Sequence, residues 1–157
     1  MERVDAILQH PQFRASLERT AELEKVRVFC GHGMDHLIDT ARIAYMLSLE
    51  AGEGADKELI YAAALLHDIG RWRQYEDCTP HERESARIAG EILPECGFGE
   101  PETALILDAI LSHRTHDGAK SGFARSLYRA DKLSRRCYEC AARNECDWEI
   151  KNIRLEL

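Results

Sequence analysis

The stretch "ELIYAAALLHDIGRWRQYE", residues 58–76, decides the fold class. Its apolar run Leu59, Ile60, Tyr61, Ala62, Ala63, Ala64, Leu65 and Leu66 reads as helix and leads straight into His67 and Asp68. Burying an imidazole and a carboxylate without partners costs several kcal/mol. A divalent cation compensates both, because imidazole nitrogen and carboxylate oxygen are its common ligands. Adjacent helical residues lie about 100° apart, so one ion needs ligands from other helices. The chain supplies His36 upstream, then His81, His113 and Asp131 downstream.

Working outward, glycine and proline divide the chain into helical segments, and no stretch alternates as a strand does. Pro11 opens a helix through "PQFRASLERTAELEKV", with Phe13, Leu17 and Leu23 as apolar contacts. "CGHG" interrupts before a helix from about Met34 to Glu50, whose apolar face is Leu37, Ile38, Ala41, Ala44, Tyr45, Leu47 and Leu49. "AGEGAD" reads as a loop in which Asp56 caps the next helix. Gly70 loosens that helix after His67 and Asp68, and "YEDCTP" reads as a second loop. Thr79 is then the expected N-cap and Pro80 the first residue of a helix that buries Ala86, Ile88, Ala89, Ile92 and Leu93. "PECGFGEP" reads as a connector, "ETALILDAILSHR" as the next helix, and "FARSLYRADKLSRR" as the helix carrying Asp131. The expected fold is all-α, a single compact multi-helix domain over 1–157, with motifs in about 28–136 and a cysteine-containing tail over 137–157.

Composition narrows the function. With 157 residues, 45% hydrophobic and 31% charged, the chain can build a substantial globular core. No run approaches the roughly 18 apolar residues of a membrane span, so no membrane partner is expected. "MERVDAILQHPQF" lacks a secretory apolar core, which predicts a cytoplasmic protein with reduced cysteines. A formal net charge of −7 argues against binding long nucleic acid. Between Arg114 and Arg143, however, Arg114, Lys120, Arg125, Arg129, Lys132, Arg135, Arg136 and Arg143 face only Asp117, Asp131 and Glu139. That local excess surrounds a proposed metal ligand and suits a small phosphorylated compound, unless these side chains simply decorate solvated helix faces.

The elements "GHGMDHLIDTARIA", "AALLHDIGR", "HERESARIAGEIL", "AILSHR" and "SLYRADKLSR" fall in this order along the chain. Together they resemble the HD-domain superfamily of metal-dependent phosphohydrolases over roughly residues 28–136. The resemblance implies an HD-domain bundle in which His36, His67, Asp68 and Asp131 hold the primary ion. It also implies that His81 and His113 stand where two-metal members add ligands, with Asp68 bridging. One-metal members carry similar residues, so the resemblance leaves one or two ions open. His32, four residues before His36, shares its face only if that turn is helical, and His10 and His116 read as surface residues.

Such an ion lowers the pKa of its water from about 15.7 towards about 7 and polarises a phosphoryl oxygen. The expected activity is therefore hydrolysis of a small phosphate ester or anhydride, plausibly a nucleotide. The identity of the ion stays open among Mn, Mg, Zn, Fe, Co and Ni. Asp68, Arg71 and Lys132 are the candidate catalytic residues, and Arg71, His113, Arg114 and Lys132 the candidates for holding the phosphate. Glu76 or Asp77 could assist proton transfer. The same ligands accept iron, so a di-iron oxygenase of HD type is the alternative, and a non-catalytic metal or nucleotide sensor a third. In the tail, Cys137, Cys140 and Cys146 have spacing suited to a zinc or iron–sulfur site, or are free thiols. Trp148, Ile150, Ile153, Leu155 and Leu157 suggest that the tail packs on the body or on a second subunit of a homo-oligomer.

Overall fold

A computed structural model describes residues 1–115 and 121–148. Among these, the chain forms α1 (Glu2–Gln9), α2 (Pro11–Leu23), α3 (Met34–Glu50), α4 (Lys57–Leu66), α5 (Arg71–Asp77), α6 (His81–Glu95), α7 (Glu100–Ser112) and α8 (Gly122–Leu133), with no strand. The all-α expectation holds.

The centre of the bundle is α4. Its Ile60 and the run Ala62 to Leu66 are all buried, as expected of a helix that is apolar on every side. It packs against α1, α3, α6, α7 and α8, while α3 lies along α8 and α6 along α7. Alanines at 62, 63 and 64 let those neighbours approach closely. Asp56 caps α4 as expected, its carboxylate accepting the Glu58 N–H at 2.7 Å.

After Leu66 the helix gives way to a turn through Gly70. The Gly70 N–H donates to Ser85 Oγ at 2.9 Å, and a Cβ at position 70 would lie 2.4 Å from the Ser85 nitrogen. Only glycine permits this approach, which seats the turn carrying Asp68 directly on α6, the helix carrying His81.

Several boundaries differ from the expectations. Tyr75, Glu76 and Asp77 belong to α5, which is extended by the i,i+4 pair Arg73–Asp77 at 2.8 Å and ends at Cys78 with φ 64°. Pro80, not Thr79, is the N-cap of α6, because the Thr79 N–H turns back to Asp77 Oδ1. The far end of α6 runs on through Pro94 and Glu95 and stops at Gly97, whose φ is +84°. Leu49 is 60% exposed rather than inward, and Leu23 is half-buried outside the core. His10 is the N-cap of α2, accepting the Gln12 N–H, and its side chain is only 13% exposed. The helix α1 was not foreseen. It is held by burial of Val4 and Ile7 and by Arg3, which bridges Glu58 at 2.8 Å and Glu102 at 2.7 Å.

Among the described residues no helix is long and apolar enough to cross a membrane. His116, Asp117, Lys120, Ile150, Ile153, Leu155 and Leu157 lie outside the described residues.

Candidate metal centre

Helix ends bring the ligands together. His36 sits in the first turn of α3, His67 caps the C-terminus of α4, and Asp68 follows in the turn. His81 opens α6, His113 caps α7, and Asp131 lies in the last turn of α8. All six are buried.

Asp68 is the shared member. Its Oδ2 lies 3.5 Å from His36 Nε2 and 3.3 Å from His67 Nε2. Asp131 Oδ1 completes this group at 3.5 Å from His36 Nε2 and 3.8 Å from His67 Nε2. On the other side, Asp68 Oδ1 lies 3.2 Å from His81 Nε2 and 3.7 Å from His113 Nε2. Ligands about 2.1 Å from one ion stand roughly 3–4.2 Å apart, which these spacings match. In each set, His36, His67, Asp68 and Asp131 or Asp68, His81 and His113, the ligand atoms all lie within 4.8 Å of one another.

Each ring is oriented from behind. His67 Nδ1 donates to the Ala64 carbonyl at 2.7 Å, and His113 Nδ1 to the Ile110 carbonyl at 2.6 Å. His36 Nδ1 donates at 3.0 Å to Ser134 Oγ, whose own hydrogen goes to the Asp131 carbonyl. His81 Nδ1 lies 2.5 Å from Gln74 Oε1, with the Arg71 guanidinium 2.9 Å away on the same side. These contacts leave every Nε2 facing the carboxylates, the outer-shell arrangement that metal-binding histidines need. Buried His36 Nε2, His67 Nε2 and Asp68 Oδ1 make no hydrogen bond of their own. Nitrogen and oxygen donors left unsatisfied in a buried cluster fit a divalent cation.

Electrostatics agree. Burial alone would push the His67 ring down, but the carboxylates of Asp68 and Asp131 outweigh it and lift it to about 10. Burial raises Asp68, against His67, His32, His113 and His36, which together hold its carboxyl well below the usual range. Asp131 is held low in the same way, by His67, Arg135 and Lys132. Burial, reinforced by His113, Arg71 and Arg114 and opposed by Asp68, lowers His81 to about 3, so this ring is neutral.

The centre opens into a cavity of about 280 Å³ ringed by Arg27, Arg71, Arg114, Lys132 and Arg135. Lys132 pairs with Asp131, and Arg135 lies 3.1 Å from Asp131 Oδ1. Arg114 reaches Glu82 at 3.3 Å, and Arg71 Nε donates to the Tyr75 hydroxyl at 3.2 Å. The Trp148 ring covers Arg135 at 4.4 Å and Lys132 at 5.2 Å, so this part of the tail packs on the body.

The HD domain family profile matches residues 33–136. The chain belongs to the HD domain family. It is 44% identical over 157 residues to an uncharacterized protein of Clostridium beijerinckii, with 99% of each chain covered. It is 34% identical over 101 residues to ribonuclease Y of Enterococcus faecalis, and these span 64% of this chain but 18% of that protein. Ribonuclease Y of Thermus thermophilus is 32% identical over 104 residues, 66% of this chain and 17% of that one. Among solved structures, a predicted HD superfamily hydrolase from an uncultured Thermotogales bacterium superposes with a TM-score of 0.60 at 28% identity, over 85% of this chain and 74% of that chain.

Other residues of this HD domain fall differently from the expectations. Arg71, Arg114, His113 and Lys132 do line the cavity. Glu76 is instead paired with Arg19, and Asp77 with Arg73, so neither lines it. All six cysteines are free thiols, and among the described residues none joins a cluster able to hold a metal. Arg27, Gln74 and Trp148 were not foreseen at the site, whereas Arg135 belongs to the basic excess expected around Asp131. For Arg135 a further signal was present, since it follows Asp131 by four residues.

His32 is buried beside the centre, 3.9 Å from Asp68 Oδ2, rather than within either ligand set. Its Nδ1 lies 2.5 Å from Glu24 Oε1, and its backbone N–H donates to Glu24 Oε2 at 2.8 Å. The Tyr75 hydroxyl also donates to Glu24 Oε1, at 2.6 Å. Burial raises Glu24, but these donors outweigh it and lower the carboxyl to about 2.

Proposed function

We propose that this HD domain hydrolyses a small phosphate ester or anhydride, such as a nucleotide, using one or two divalent ions. The observation that carries the reading is Asp68, whose two oxygens each face a separate set of oriented imidazoles at 3.2–3.7 Å. A divalent ion bound there supplies an acidified water and polarises a phosphoryl oxygen. Asp68 is the residue able to serve both sets, with His36, His67 and Asp131 on one side and His81 and His113 on the other.

The chain's own cations fit the substrate's charge. Arg71, Lys132 and Arg114 stand on the cavity wall beside the ligands, where a phosphate would exchange their present partners for its own oxygens. The His113 carbonyl lies 3.5 Å from Lys132 Nζ and helps to aim it. A cavity of about 280 Å³ suits a small molecule, and the net charge of −7 disfavours a long polyanion. The ribonuclease Y relatives therefore support phosphate-ester chemistry more than an RNA substrate, since the match spans 17–18% of those proteins.

The test is a screen of nucleotides and phosphomonoesters with protein stripped of metal and reloaded with Mn, Mg, Zn, Fe, Co or Ni. Metal-dependent phosphate release that disappears in Asp68→Ala is expected. Oxygen uptake by an iron-loaded, coloured protein without phosphate release would replace the reading with the oxygenase. Tight ligand binding without turnover would replace it with a sensor.

A further inference from the structure

The geometry points to a water site between His32 Nε2 and Asp68 Oδ2, built by the Glu24–His32 pair to hold the attacking water of the reaction proposed above. The two atoms stand 3.9 Å apart, beyond direct hydrogen-bond range and within the reach of one bridging water. His32 lines the cavity, so the site opens toward the substrate position. It also lies on the Asp68 oxygen that faces His36 and His67, the side of the four-ligand set.

The pair is built for this. Glu24 accepts His32 Nδ1–H at 2.5 Å and the His32 backbone N–H at 2.8 Å, fixing both the ring and its tautomer. The Tyr75 hydroxyl holds the carboxylate from another side at 2.6 Å. With Nδ1 carrying the hydrogen, Nε2 is an acceptor. A water donating one hydrogen to Nε2 and the other to Asp68 Oδ2 has both hydrogens engaged, and its oxygen lone pairs face the cavity. Glu24 acts through His32 and is a positioning residue. The bond to Glu24 closes the loop between α2 and α3, from the C-cap of α2 to the residue four before a proposed ligand.

His32→Asn tests the inference, because its amide N–H can keep the bond to Glu24 while the side chain stops short of Asp68. Crystal structures of Mn-loaded wild type and His32→Asn are compared, together with Mn affinity and steady-state kinetics. The expected result is a water within hydrogen-bond distance of His32 Nε2 and Asp68 Oδ2 in the wild type and none there in the variant. Mn affinity should stay within about threefold, and kcat should fall about 100-fold with KM little changed. An unchanged kcat, or a vacant gap in the wild type, overturns the inference. So does a 30-fold or larger loss of Mn affinity, which would make His32 a direct ligand. The wild-type structure decides the matter even where His32→Asn does not fold. If the wild type hydrolyses no phosphate compound, the phosphohydrolase reading and the attacking role of the water fall together, while the water's presence or absence still decides the site between His32 Nε2 and Asp68 Oδ2.

Discussion

His81 Nε2 lies 3.2 Å from Asp68 Oδ1, while His67, next to Asp68 in the chain, faces the other oxygen of the same carboxylate. One aspartate thereby joins ligands from α4 and α6. Replacing Asp68 should disable both ligand sets, whereas His81→Ala should disable only the second. Metal analysis after loading should show no tightly held ion in Asp68→Ala, with at least about 100-fold weaker binding. His81→Ala should retain the ion held by His36, His67, Asp68 and Asp131. Equal losses in the two variants would contradict the bridging role.

The approach of Gly70 to Ser85 is what sets that relationship. Gly70→Ala forces a Cβ to 2.4 Å from the Ser85 nitrogen, so the turn must lift off α6. Overpacking of this kind costs about 1–3 kcal/mol. Urea denaturation should show that loss, and binding at the Asp68, His81 and His113 set should weaken more than at the other. Ser85→Ala removes only the hydrogen bond at 2.9 Å and should cost about 1 kcal/mol. A Gly70→Ala protein of wild-type stability would refute the packing argument.

Protons should compete with the metal. In the metal-free protein the His67 pKa, about 10, lies above its ordinary value, so the ring is charged at neutral pH. Metal uptake at pH 7 should therefore release a proton, seen as a dependence of titration enthalpy on the buffer. The sign for stability follows from the raised pKa. The pairing with Asp68 and Asp131 is fully present below about pH 6.5 and is lost as pH rises through about 10. Metal-free protein should accordingly become easier to unfold in urea between pH 7 and pH 10. Rising stability across that window would contradict the assignment.

Arg71 and Lys132 should affect substrate more than metal. Charge-assisted bonds to a phosphate contribute about 1.5–3 kcal/mol, so Arg71→Ala or Lys132→Ala should raise KM or lower kcat/KM roughly 10- to 100-fold. Mn affinity at the set of His36, His67, Asp68 and Asp131, measured by calorimetry, should change little in Arg71→Ala, since the one proposed ligand that Arg71 touches is His81, at Nδ1. Wild-type kcat/KM in both variants would remove them from the substrate site.

Much of this was legible in the sequence because the proposed ligands sit at or beside the ends of helices. His67 precedes Gly70, His81 follows Pro80, and α4 is apolar on every side. Those signals are local. The pairing of Glu24 with His32 is not, because it depends on the path of the chain between α2 and α3. Arg27 was hidden for a similar reason, since whether a cation on a helix or loop faces a cavity or solvent depends on tertiary rotation. The short α1 had no strong signal of its own: an isolated eight-residue helix is unstable, and this one is held by Val4, Ile7 and the Arg3 bridges. Asp77 misled the reading because its pairing with Arg73 lengthens α5 past residues that elsewhere favour a turn.

The central claim is that helix-end imidazoles and two aspartates enclose a cation. Anomalous diffraction from crystals grown with Mn tests it most directly. A peak about 2.0–2.3 Å from His36 Nε2, His67 Nε2, Asp68 and Asp131 is the predicted result, with a second between Asp68, His81 and His113 if two ions bind. No peak between His36, His67, Asp68 and Asp131, in protein that binds Mn in solution, would contradict the account.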